Sequence, residues 1–193
     1  APLGTTGEAN SFSVDERLTI IEALAGSGLP MAKCIVGTGA CAIPDSVRLT
    51  KRVLEGGGRD VLVLPPFYYK KVSDDGLFAA FSEVINRVGD ARLRLYVYQF
   101  PQMTGLDLGL GLIERLIKAF PKTVVGIKDS SGSYENGLAY VENQAATGIV
   151  AGTSSTSAEA AAAQQTVDQL TQQLAAQQTV IDQARAVYQC ELT

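Results

Sequence analysis

The chain has no histidine and no tryptophan, and only three cysteines in 193 residues. Without histidine, neither a Ser-His-Asp triad nor a Cys-His pair can be built, and the commonest metal ligand is missing. The cysteines, Cys34, Cys41 and Cys190, are sparse and odd in number. That usage suits a reducing, cytoplasmic setting better than a disulfide scaffold. No close cysteine pair exists and no histidine can complete a site, so no metal is expected. Cys34 lies in an apolar run and reads as a small buried hydrophobe. Charge is also scarce, at 19% of residues and a formal net charge of −4. A mildly acidic chain without a basic patch is not expected to bind nucleic acid. No apolar run approaches the roughly 20 residues of a membrane span. No charged stretch followed by an apolar core marks the N-terminus as a secretory signal. Apolar residues, in contrast, are abundant at 46%. That excludes disorder of the whole chain, and the length fits one domain or a small domain with an appendage.

The composition changes near residue 145. Beyond it Ala, Gln, Ser and Thr dominate, and the only charged residues are Glu159, Asp168, Asp182, Arg185 and Glu191. Val167, Leu170, Leu174, Gln177, Ile181, Ala184 and Tyr188 follow alternating three- and four-residue steps. This is a short heptad seam with one polar interruption. Three segments are expected: a domain over 1–144, a linker or extra strand over 145–157, and an Ala/Gln-rich helix over 158–193. The helix either covers exposed sheet or pairs with a copy of itself as a coiled coil.

Residues 1–144 read as repeated βα units. Ser13 and Glu16 form a capping-box pattern, followed by Leu18, Ile21 and Leu24 at helical spacing. Met31 to Val36 reads as a strand. Pro44 suits the first turn of a helix carrying Val47, Leu49, Val53 and Leu54. Val61 to Leu64 reads as a buried strand. Ser73 caps a helix with Leu77, Phe78, Phe81, Val84 and Ile85. Leu93 to Tyr98 is the next strand, Leu112, Ile113, Leu116 and Ile117 the next helix, and Thr123 to Ile127 the last clear strand. Short apolar strands alternating with amphipathic helices imply a parallel sheet. On pattern alone, a doubly wound sheet and a (β/α)8 barrel both remain open. No GxGxxG or P-loop follows any strand, which argues against nucleotide binding.

In either architecture the chemistry sits beyond the carboxyl ends of the strands. Four such places are loaded: Gly4-Thr5-Thr6-Gly7-Glu8, Pro66-Phe67-Tyr68-Tyr69, Tyr98-Gln99-Phe100-Pro101 through Thr104-Gly105, and Gly126-Ile127-Lys128-Asp129-Ser130-Ser131-Gly132. Lys128 directly follows an apolar strand, so it is expected at the strand's end, facing inward and desolvated. Desolvation lowers an amine's pKa, and a neutral amine attacks carbonyls to form a Schiff base. The bland alternative is a lysine that snorkels to solvent. Tyr98, at the end of the preceding strand, is placed to move protons beside Lys128; otherwise it is a half-buried aromatic. The turn holding Thr5 and Thr6 offers hydroxyls and backbone N–H groups to a carboxylate.

Together, GTTGE, PPFYYKKVSDDGL, YQFPQMTG and GIKDSSG resemble the dihydrodipicolinate synthase and N-acetylneuraminate lyase family of class I, pyruvate-dependent aldolases. The resemblance covers about residues 2–143, with four motifs in order and in register. It implies a (β/α)8 TIM-barrel fold. It implies that Lys128 is the Schiff-base lysine and Tyr98 the proton-relay tyrosine. Gly4, Thr5 and Thr6 would bind the pyruvate carboxylate, with Thr6 extending the relay. Tyr68 would reach into a neighbouring subunit's site, so a homo-oligomer is expected. The substrate would be pyruvate or another 2-keto acid, and no cofactor would be required.

One position departs from the family. Synthases of the lysine pathway usually carry an arginine for the second substrate's carboxylate where this chain has Met103. A thioether cannot pair with a carboxylate, so a 2-keto-3-deoxy sugar-acid type of substrate is favoured over dihydrodipicolinate synthesis. The chain begins at what the family would call the end of its second strand, and the match fades after residue 143. The expectation is an incomplete α/β barrel, about strands 3–6 with Gly148–Gly152 as a seventh, followed by a long C-terminal α-helix. Such a chain is expected to be a fragment, a chimera or an assembly that closes with another chain, with its activity compromised unless the site still forms. The competing reading is a non-catalytic interaction or scaffold protein made of a barrel fragment and a coiled-coil tail. A decarboxylating or dehydrating relative using the same imine is a third.

Overall fold

A computed structural model of the chain describes residues 1–133 and 139–140. The segments 145–157 and 158–193, with Cys190, lie outside the described residues. Four parallel strands form one sheet in the order β1-β2-β3-β4: β1 Ile35–Gly37, β2 Asp60–Val63, β3 Arg94–Gln99 and β4 Val124–Asp129. Helix α1 Val14–Gly26 precedes β1, and α2 Ile43–Glu55, α3 Asp74–Val88, the single turn α4 Pro101–Thr104 and α5 Leu110–Ala119 lie between the strands in sequence.

The local signals account for the helices. Ser13 and Glu16 form the full capping box, with Glu16 accepting from the Ser13 N–H at 2.8 Å. Pro44 sits in the first turn of α2, where its missing N–H costs nothing. Ser73 accepts from the Gly76 N–H, and Gly89 closes α3 at φ 63°, a left-handed stop that glycine adopts without strain. The apolar stripes then fix how the helices dock. Ile21, Val47, Leu49, Val53, Leu77, Phe81, Leu112 and Leu116 are all buried, with Val36, Val61, Val63, Leu95 and Val97 of the sheet in the same core. Cys34 packs half-buried against that core, and Cys34 and Cys41 are free thiols.

One element differs from expectation. Met31–Lys33 is a 3-10 turn, and the strand begins only at Ile35. After Pro30 the chain closes on itself, the Lys33 N–H donating to the Pro30 carbonyl at 2.8 Å and Cys34 to Met31 at 3.0 Å. Met31 is still buried, so the apolar signal was a core contact made from a turn.

Side chains alternate across a strand. Since Val61, Val63, Leu95 and Val97 face the helices, Asp60, Leu62, Tyr96 and Tyr98 face the other side. β4 joins this pattern only through an irregularity. Leu95 pairs with Val124, but the next residue, Tyr96, pairs with Gly126. Val125 is thus the extra residue of a bulge. The bulge lets Val124 and Ile127, three apart, both pack on the helical side. It also sets Gly126 opposite Tyr96 and Lys128 opposite Tyr98.

The N-terminal segment runs against the other edge of the sheet. The Gly37 N–H donates to the Pro2 carbonyl at 2.8 Å. A Cβ at Gly37 would lie 1.8 Å from the Leu3 carbonyl oxygen, so only glycine fits at this crossing. Gly37→Ala is expected to push the N-terminal segment off the sheet and destabilise the fold by about 1–3 kcal/mol, read as a lower urea midpoint. Gly26→Ala, whose added methyl meets nothing within 4 Å, leaves the midpoint unchanged or slightly higher.

Candidate active site

The carboxyl ends of the strands bring three of the expected residues together. The Lys128 ammonium donates to the Tyr98 phenol oxygen at 2.8 Å and lies 4.0 Å from the centre of its ring. On the phenol's other side stands the Thr5 hydroxyl, 3.2 Å away. Lys128, Tyr98 and Thr5 therefore form one continuous hydrogen-bonded line. Each comes from a different part of the chain: β4, β3 and the N-terminal segment held at Gly37.

Tyr98 is buried to 3% exposure. Burial alone raises its pKa, but hydrogen bonds from Lys128, Thr5 and Ser130, with the Lys128 charge, outweigh burial and leave the phenol below its ordinary value. A tyrosine so placed exchanges protons more readily than a free one. Lys128 itself is exposed, which corrects the expectation of a desolvated lysine. Its strand is the last of the described sheet, with β3 on one side and no described strand on the other.

The remaining expected residues are placed differently. Gly4 lines a small open cleft together with Leu3, Thr5, Gly37, Gly39, Leu62 and Tyr98. Thr6 is exposed and makes no hydrogen bond to Tyr98. Tyr68 is 74% exposed, its ring meeting Tyr69 edge-on at 5.3 Å. Met103 is exposed in α4, the single turn after β3.

Several supporting residues carry no separate signal in the motifs. Gln99 is fully buried; its amide nitrogen donates to Asp107, and its amide oxygen accepts from the Leu108 N–H at 3.2 Å. Its backbone carbonyl accepts from the Ser130 N–H at 2.8 Å, which fixes Ser130 beside Tyr98. Tyr140 donates to the Leu108 carbonyl at 2.7 Å; burial and the charges of Asp107 and Asp129 push its phenol up to about 12. Arg17 in α1 is buried at 3% exposure and clamps the turn after β1. The available signal was its place on the apolar stripe of α1, between Val14 and Ile21, where a charge is out of pattern.

The fold and the site define a parallel α/β protein with a lysine–tyrosine pair at the carboxyl ends of its strands. The chain belongs to the dihydrodipicolinate synthetase family, whose sequence pattern matches residues 2–163. An uncharacterized DapA-like lyase from Chloroflexus aurantiacus is 34% identical over 142 residues, covering 73% of this chain and 46% of that protein. A 4-hydroxy-tetrahydrodipicolinate synthase from Rhizobium meliloti is 31% identical over 134 residues, covering 69% and 44%. The crystal structure of dihydrodipicolinate synthase from Agrobacterium tumefaciens superposes with a TM-score of 0.67 at 36% identity, covering 75% of this chain and 49% of that one. The 2-keto 3-deoxygluconate aldolase from Picrophilus torridus shares the fold, with a TM-score of 0.66 at 20% identity over 73% of this chain and 48% of that one. The chain thus spans about half the length of the curated relatives it matches.

The two shifted phenols give a direct check. Ultraviolet difference titration should show one tyrosine ionising below the ordinary range and one near 12. Tyr98→Phe removes the first wave. Lys128→Met moves that wave upward, because it deletes both a donor to the phenol and a positive charge beside it.

Proposed function

We propose that this chain carries the imine-forming site of a class I aldolase or lyase acting on pyruvate or a 2-keto acid. The observation that carries the reading is the 2.8 Å contact between the Lys128 ammonium and the Tyr98 phenol, with Thr5 behind it. Proton transfer from the ammonium to an ionised Tyr98 yields a neutral amine. The amine attacks the keto carbon, and a proton returned through Tyr98 lets the carbinolamine lose water. The resulting iminium accepts the electron pair when an adjacent carbon–carbon bond breaks, leaving an enamine; the reverse sequence forms the bond. Decarboxylation or dehydration would draw on the same electron sink.

The substrate carboxylate would sit in the turn that bears Gly4, Thr5 and Thr6, with Thr6 extending the relay. Tyr68, exposed here, would complete the site of a neighbouring copy in a homo-oligomer. The four described strands would serve as strands 3–6 of a (β/α)8 barrel. Met103 offers no charge to a second carboxylate, which favours a 2-keto-3-deoxy sugar-acid class over dihydrodipicolinate synthesis. The identities point the other way, since the proteins named as synthases share 31% and 36% with this chain and the aldolase 20%. Carboxylate recognition depends on the group present and not on overall identity, so the side chain decides.

Incubation with pyruvate and borohydride, followed by intact-mass spectrometry, should give a reduced pyruvate adduct that maps to Lys128. Lys128→Ala should give none. Tyr98→Phe should slow trapping by about 10²–10⁴-fold, the usual contribution of a positioned acid or base. A folded chain with no adduct sinks the proposal.

A further inference from the structure

The buried arginine of α1 sits behind the cleft and has no obvious structural need for its charge. Arg17 is 3% exposed. One terminal nitrogen donates to the carbonyls of Gly37 and Gly39, each at 3.1 Å. Its Nε is buried without a partner. No ion pair joins it to a carboxylate among the described residues. Asp45, in the first turn of α2, acts on it only through space. Gly37 and Gly39 are themselves lining residues of the cleft that holds Gly4, Thr5 and Tyr98.

Burying a charge without a contact partner is costly. The two carbonyl bonds do not explain that cost, because a neutral amide also donates to carbonyls. They do hold the charge in place, and no carboxylate among the described residues contacts it. In a low-dielectric surrounding such a charge acts strongly on anything anionic nearby. The other polar side chains lining the cleft, those of Thr5, Asn10 and Tyr98, carry no positive charge.

We propose that Arg17 is a positioning residue whose charge, applied from behind the Gly37-Thr38-Gly39 turn, draws and holds the carboxylate of a ligand in this cleft. The inference rests on the reading of the cleft as a 2-keto acid site, and it adds a specificity element to that site: a preference for an anionic group beside the keto carbon.

Lactate is the probe, since it carries pyruvate's carboxylate but no keto group and cannot form an imine. Its binding is measured by calorimetry at low and high salt for the wild type, Arg17→Met, Arg17→Gln and Arg17→Lys, each checked for folding by circular dichroism. The neutral variants should bind lactate about tenfold or more weakly at low salt, and Arg17→Lys should recover to within about threefold. Added salt should narrow the gap. Borohydride trapping at saturating pyruvate should keep its maximal rate within about twofold in Arg17→Lys, because chemistry at Lys128 is untouched. Should Arg17→Met fail to fold, the Gln and Lys variants make the comparison. The inference is overturned if the wild type does not bind lactate, if all four proteins bind it equally, or if Arg17→Lys binds as weakly as Arg17→Gln. Loss of the pyruvate adduct with the lactate pattern intact removes the imine reading and leaves the charge inference standing.

Discussion

The site depends on the register of β4 against β3. A strand whose side chains alternate cannot put residues three apart on the same face, yet Val124 and Ile127 both pack towards the helices. The bulge at Val125 resolves this by shifting the parity once. Had β4 continued without it, Lys128 would fall on the same face as Val124, among the helices. The shift instead aligns Lys128 with Tyr98 as a cross-strand pair, where the ammonium reaches the phenol.

The face that carries the pair is graded along the strands. At the amino ends, Asp60 is nearly buried and meets Arg59 at 3.3 Å and Arg94 at 3.0 Å. In the middle, the Tyr96 ring lies so close to Gly126 that a Cβ there would meet ring atoms at 2.9–3.0 Å. At the carboxyl ends stand Tyr98 and Lys128. Paired charges therefore lie at the structural end, and the exchangeable proton lies at the open end, where the strands finish. This is the division expected of a parallel α/β sheet.

The loops beyond those termini are tied to one another by polar side chains, Gln99 buried and Lys70 and Gln102 exposed. Gln99 grips the loop after β3 through both ends of its amide and holds Ser130 of β4's loop through its carbonyl. Lys70 donates to the Phe67 and Thr104 carbonyls at 2.5 Å each, joining the loops after β2 and β3. Gln102 reaches the Ser131 carbonyl. A buried polar group that is fully paired rigidifies its surroundings, and here the rigid surroundings are those of Tyr98.

The sequence by itself determined the alternation of helices and strands, since caps, prolines and apolar stripes act over a few residues. The capping box at Ser13, the cap at Ser73 and the buried faces of α2, α3 and α5 appear where local chemistry places them. The family motifs likewise named Lys128 and Tyr98, each next to the last residue of its strand, and Thr5 in the N-terminal segment. Local pattern misread Met31–Lys33, where an apolar run met the core from a turn. It also set Lys128 as desolvated, although exposure depends on which strands flank β4. Thr6 and Tyr68 sit in the right motifs but outside the hydrogen-bonded line. The bulge, the Leu3–Gly37 crossing and the Arg17 clamp were decided only by the tertiary structure. Each joins segments about 20 or more residues apart, and such contacts leave no periodic signal in the residues that make them.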